Sequence, residues 1–305
     1  MRTNHYYDSC GAGQIHYCRW TPEGTPKAVV QILHGIAEFV ERYDDFAKYL
    51  NRQGILVVAE DHMGHGQSIN GQGIQGYFHG GWDAAVADSC RLMQDIMAEY
   101  PGVPYILFGH SMGSFMARSI LCQHPDSGIR GAVICGTGWQ PTFAMPAIIS
   151  VMEAVCGRIG ETTPSPKLHK LIFGGYNNKI EHPRTNSDWL TRDARIVDAY
   201  EAHPLCGFVP SCGLLRDMMK GIYAIQRKDN LDKMRRELPV FFIAGGEDPV
   251  GNFGKGVQAA AKAFRDMGME DVSLRIYPLC RHEILNEINR EEVYEDVAEW
   301  IGKRL

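Results

Sequence analysis

The chain has 305 residues, with 31 Lys and Arg against 36 Asp and Glu, so its formal net charge is −5. That excludes an electrostatic nucleic-acid binder, because affinity for a phosphate backbone needs a cationic footprint. Hydrophobic residues at 45% and charged residues at 22% are globular proportions, which exclude disorder, collagen-like repeats and coiled coils and allow a sizeable core.

In chain order, residues 3–20 read as an antiparallel hairpin joined through Gly11, Ala12 and Gly13. AVVQIL from Ala28 and ILVVA from Ile55 read as fully buried strands, with a helical pattern at about 41–52 between them. A helix at about 80–99 precedes YILF from Tyr105, which runs into a helix at about 112–124 and then the strand GAVIC from Gly131. After a long interval come PVFFIA from Pro239, a helix at about 252–268, the strand-like Leu274-Arg275-Ile276 and a helix at about 290–303. Continuous apolar strands alternating with amphipathic helices predict a mostly parallel sheet covered on both faces, an α/β fold.

The alternation lapses over 137–225, where Pro-broken helical patterns and polar loops predict an inserted helical cap on a body formed by 1–136 and 226–305. Residues 131–152 carry no charge, but Gly136, Gly138, Pro141 and Pro146 interrupt them. They divide into a buried strand, a turn and an apolar helix from about Phe143, too short to span a membrane. Nine cysteines, an odd number without a CxxC pair, fit neither a zinc ribbon nor a complete disulfide framework. With no apolar leader at the N-terminus, the expectation is a reducing cytosol.

The segment most informative about chemistry is YILFGHSMG at 105–113. It matches G-x-S-x-G between a strand and a helix, where glycines permit a turn too tight for Cβ atoms and lift the Ser111 hydroxyl above the strand ends. A serine hydroxyl needs a base, and the base an orienting acid. Asp248 lies on the loop after PVFFIA and His282 on the loop after the last strand, so all three would emerge from one edge of the sheet. Glu247 is the rival acid; Asp248 is preferred because it lies farther from the strand and precedes Pro249, which helps fix the loop. An oxyanion would need amide donors, and the N–H groups of Met112 and of Ile36, in the loop after AVVQIL, stand at adjacent strand ends.

Taken together, HGIAEFVERY at 34–43, EDHMGHGQS at 60–68, GHSMG at 109–113, GEDPVGNFGKGV at 246–257 and RHEILNE at 281–287 resemble the monoacylglycerol lipases and lysophospholipases of the α/β-hydrolase (serine aminopeptidase-like) superfamily. The resemblance implies an α/β-hydrolase fold and an acyl-enzyme on Ser111, with Asp248 and His282 completing the triad and Ile36 and Met112 as oxyanion donors. It implies no cofactor and a monoacylglycerol or similar single-chain lipid ester as substrate, with Glu38 and Arg42 near the polar head. The chain departs from the family's pattern at Ala37, often a glycine, and at Ile36, often a smaller residue. Alternatives are a lysophospholipase, a thioesterase, a general short-chain carboxylesterase or a non-catalytic ligand receptor.

Other features are given weaker readings. The GxGxxG match at 71–76 follows a polar loop instead of a strand, so no dinucleotide site is expected. Asp61, His62 and His65 read as a hydrogen-bonded scaffold under the site in preference to metal ligands. In the cap, Phe143, Met145, Ile148, Ile149, Met152 and Val155 form an apolar face, read equally as packing against the body and as an acyl tunnel or a lid touching membranes transiently. Trp139 and Phe143 are candidates to line the substrate pocket, and a mainly apolar cavity between cap and sheet is expected.

Overall fold

Apolar runs with no polar alternation become strands covered on both faces. The computed structural model describes residues 1–69 and 73–305. Its sheet comprises β1 (Arg2–Asp8), β2 (Gln14–Trp20), β3 (Ala28–Leu33), β4 (Ile55–Glu60), β5 (Tyr105–His110), β6 (Gly131–Cys135), β7 (Val240–Gly245) and β8 (Val272–Tyr277), in the order β1-β2-β4-β3-β5-β6-β7-β8. The first hairpin joins β4 antiparallel, and every pairing from β4 to β8 is parallel. Every residue of β3, β4, β5, β6 and β7 is buried.

The helices are α1 (Asp44–Arg52), α2 (Gly81–Glu99), α3 (Met112–Gln123), α4 (Met145–Ile159), α5 (Pro166–Phe173), α6 (Ala194–Ala202), α7 (Cys212–Gln226), α8 (Lys228–Leu231), α9 (Lys255–Asp266) and α10 (Arg290–Gly302). Alternate strand residues feed two cores. Val30, Ile32, Ile106 and Phe108 pack with Phe46 and Leu50 of α1 and Val297 and Ile301 of α10. Val29, Leu33 and Leu107 face the other way, toward α2, α3 and α9. The chain leaves β3 for β4 on one side and returns to β5 on the other, so the crevice beyond the strand ends opens at a switch point of the topology.

The expected elements occur with local differences. The helix expected from 41 is a 3-10 turn at Val40–Tyr43 followed by α1. The helix expected from 252 begins only at Lys255, because Asn252, Phe253 and Gly254 all have positive φ and turn the chain first. The uncharged segment ends β6 at Cys135 and begins α4 at Met145. Among the described residues no helix is long and apolar enough to cross a membrane.

The helices between β6 and β7 are not an isolated layer. Leu214, Leu215, Met218, Ile222 and Ile225 of α7 belong to the same apolar core as α2 and α3, and Gly221 admits the Trp82 ring where a Cβ would overlap it. On α4, Met145, Ile149, Met152 and Cys156 are buried, whereas Phe143 just before it, and Ile148, Val151 and Ile159 along it, are exposed. Packing against the body thus accounts for the buried residues of that face, and none of its residues lines the cavity beside Ser111.

Phe108, fully buried and 5.4 Å from the Phe46 ring, is expected to cost about 3–5 kcal/mol when truncated to alanine. Phe143→Ala, at a side chain 89% exposed, should stay within about 0.5 kcal/mol of the parent. Denaturant unfolding of both variants checks the contrast.

Candidate active site

β5 delivers Ser111 into a conformation that L-residues rarely adopt, φ 52° and ψ −120°, directly before α3. The turn closes because a Cβ at Gly113 would overlap the Leu33 and His34 carbonyls, and one at Gly109 would strike the Gly113 backbone. The Ser111 amide donates to the Cys135 carbonyl at 3.0 Å, and Ser114 N–H returns to the Ser111 carbonyl at 2.9 Å. Met112 opens α3, where an amide has no partner within the helix and the dipole is positive.

The acid loop begins as β7 ends at Gly245. Asp248 is fully buried; its Oδ1 accepts the Val250 amide at 2.8 Å and lies 3.0 Å from His282 Nδ1. That contact falls short of a well-aligned hydrogen bond, and Oδ2 has no partner among the described residues. Glu247 instead turns outward, its carboxylate half-exposed and 4.0 Å from Arg281. Geometry therefore pairs Asp248, and not Glu247, with the imidazole.

His282 is buried between the rings of His110, 4.7 Å away, and Trp189, 5.0 Å away, and its amide donates to the Trp189 carbonyl at 3.3 Å. Burial pulls its pKa down, but the charge and contact of Asp248, helped by Glu283 and Glu38, carry it net above the ordinary value of 6.5. His110 has no such acid; burial and the neighbouring His282 drive it well below that value, so it stays neutral.

The loop after β3 completes the crevice. Gly35 sits so close to Ser111 that a Cβ there would stand 3.1 Å from its Cβ. Ala37 takes φ 55°, the conformation for which glycine is the easier residue, and its carbonyl accepts from Tyr200 OH and the Gly207 amide, both at 3.0 Å. Glu38 accepts the Gly35 amide at 2.5 Å, Tyr43 OH at 2.9 Å and Arg42 at 2.8 Å. Burial, only partly offset by Arg42, holds the Glu38 carboxyl above the usual range. Glu283 is buried too, but the guanidinium of Arg42 brings it below.

Beneath this loop, Asp61 accepts from Val40 and Gln67 amides at 2.9 Å and contacts His16 at 2.7 Å, while His62 and His34 bond to each other's backbone. The EDHMGHG segment is thus built into the hydrogen-bonded floor. The start of the GxGxxG segment, Gly71 and Gln72, lies outside the described residues.

Ser111, His282, His110, Ile36 and Glu38 line one cavity of about 530 Å³. Its wall also takes Phe173, Trp189, Leu190, Tyr200 and Phe208, together with the polar His169, Lys170, Asn177 and Ser187. The lining is therefore mixed instead of mainly apolar, because α5 and the segment between α5 and α6 bring polar side chains down to it. Trp139 and Phe143 do not reach it. Trp139 stacks on the Arg118 guanidinium, 5.4 Å from its ring, while that group donates to the Gly138 carbonyl at 3.1 Å; Phe143 projects into solvent. Trp189, Tyr200 and Glu283 escape sequence reasoning, although Glu283 stands beside the histidine that the strand ends single out.

Residues 24–289 match the family model described as "Serine aminopeptidase, S33". The chain is 28% identical to the monoacylglycerol lipase of Mycolicibacterium smegmatis, over 100% of this chain and 98% of that one. It is 26% identical to the human monoglyceride lipase over 96% of this chain and 88% of that protein. Among solved structures, a thermostable carboxyl esterase from Bacillus coagulans, in complex with glycerol, superposes with a TM-score of 0.92 at 28% identity, covering 99% of this chain and 98% of that one. The chain belongs to the serine aminopeptidase S33 family of the α/β-hydrolase superfamily, among its monoacylglycerol lipase-like and esterase-like members.

Proposed function

We propose that the protein is a serine hydrolase that cleaves the ester bond of monoacylglycerols, or of similar lipid esters with one acyl chain, through an acyl-enzyme on Ser111. The observation carrying this reading is the strained Ser111 turn opening into the same cavity as a buried His282 in contact with Asp248. The imidazole of His282 takes the Ser111 proton as Oγ attacks the ester carbonyl, and Asp248 orients the ring and offsets its positive charge. The amides of Met112 and Ile36 receive the developing oxyanion. His282 then protonates the leaving alcohol, and water clears the acyl group by the same steps in reverse.

Relatives named as monoacylglycerol lipases along nearly their whole length support the glycerol ester. The polar share of the cavity wall, with the resemblance to a carboxyl esterase, supports a second reading as an esterase of shorter or more polar acyl groups. We also propose that the exposed Phe143, Val151 and Leu171, at 89%, 59% and 72% exposure, let the insertion touch lipid surfaces transiently.

A fluorophosphonate probe should label Ser111 in the wild type and leave Ser111→Ala unlabelled; an unlabelled folded wild type would favour a receptor over an enzyme. Hydrolysis rates for glycerol monoesters of increasing chain length, with lysophosphatidylcholine and an acyl thioester alongside, separate the readings, and activity confined to acetyl and butyryl esters would defeat the lipase. Catalysis needs neutral His282, so kcat/KM on an uncharged ester should fall as pH drops, with its half-maximal point above 6.5. Phe143→Asp combined with Val151→Asp should slow hydrolysis of vesicle-borne monoacylglycerol at least several-fold and leave a water-soluble ester unaffected.

A further inference from the structure

Arg42 is almost wholly enclosed, its side chain 11% exposed, and its fork is engaged by two carboxylates. Nη1 donates to Glu38 Oε2 at 2.8 Å and to Glu283 Oε1 at 2.6 Å, and Nη2 donates to Glu283 Oε2 at 2.6 Å. The face of the guanidinium stacks 4.9 Å from the Tyr200 ring. Arg42 is absent from the cavity wall, so it is not placed to read a substrate head group.

What the fork joins is specific. Glu38 holds the Gly35 amide and Tyr43 OH with its other oxygen, so it sets the loop that carries the Ile36 amide. Glu283 directly follows His282, its amide is bound to the Leu190 carbonyl at 2.7 Å, and Asn286 donates to Oε2 at 3.0 Å. Two segments 241 residues apart in sequence thus meet on one planar cation. A bidentate guanidinium–carboxylate contact fixes angle as well as distance, which a lysine cannot reproduce.

Building on the serine-hydrolase reading above, we propose that Arg42 is a positioning residue for acyl transfer: it ties the oxyanion loop to the His282 loop, so that the amide donor and the general base keep one mutual geometry. Its effect falls on the chemical step for any ester that enters the site. Misplacing such groups by about 1 Å can cost about a hundredfold in rate.

The test compares a glycerol monoester with the methyl ester of the same acyl chain, using wild type, Arg42→Lys and the charge-balanced pair Arg42→Gln with Glu283→Gln. The paired variant removes one charge of each sign and leaves Glu38 its Gly35 amide and Tyr43 hydroxyl donors, which limits the cost to folding if Arg42→Lys is unstable. Circular dichroism verifies that each is folded. The proposal expects kcat to drop about 30- to 100-fold on both esters, KM to stay within about threefold, and fluorophosphonate labelling of Ser111 to slow in parallel. A loss confined to the glycerol ester and carried by KM would make Arg42 a head-group contact and overturn it, as would folded variants with unchanged kcat. A wild type that neither turns over an ester nor takes the label would refute the serine-hydrolase reading itself, and this proposal with it.

Discussion

Close backbone packing at one corner of the sheet is the constraint on which the site depends. α3 can start against β3 only because Gly113 offers no side chain to the Leu33 and His34 carbonyls, and the price of that approach is a serine held at φ 52°. The same closeness puts Gly35 against Ser111, so the loop that would supply one proposed oxyanion donor is pressed onto the turn that would supply the other. Parallel pairing then aligns the remaining strand ends. Gly245 of β7 stands opposite Tyr277 of β8, which sends the acid loop and the histidine loop out side by side.

Electrostatics in this corner separates two histidines only 4.7 Å apart. His282 faces Asp248, with Glu283 and Glu38 beyond it, and can carry a proton despite burial. His110, equally enclosed, has no acid of its own and stays neutral beside it. In the proposed mechanism, a neutral ring packed against one that would charge and discharge supplies contact without competing for the proton, which suits one histidine to the base's role and the other to shaping the wall.

Much of this could be read in the chain before folding. The buried strands are nearly uninterrupted apolar runs, and Ser111 and Asp248 each follow one within a few residues, while His282 follows the partly exposed β8. The start of α9 was less legible because Asn252 and Phe253 take a left-handed conformation that their residue types do not announce. Phe143 is not legible as a surface residue because an apolar side chain in the turn before a helix can face either way, and here it points to water while Met145, which opens α4, is buried. The cavity wall was illegible for a different reason. It draws on residues from His169 to Pro210 with little shared periodicity, and the Arg42–Glu283 contact joins positions that no local pattern connects.

The way α7 is embedded bears on how such enzymes are re-engineered. Since its Leu214, Leu215, Met218 and Ile222 complete the core that α2 and α3 began, the stretch between β6 and β7 is not a detachable module. A chimera that exchanged the entire stretch for a relative's would uncover Trp82 and its surroundings along with the substrate pocket. Transplants would have to place their downstream seam ahead of Ser211, carrying over α4 to α6 and keeping the native α7 as part of the host scaffold.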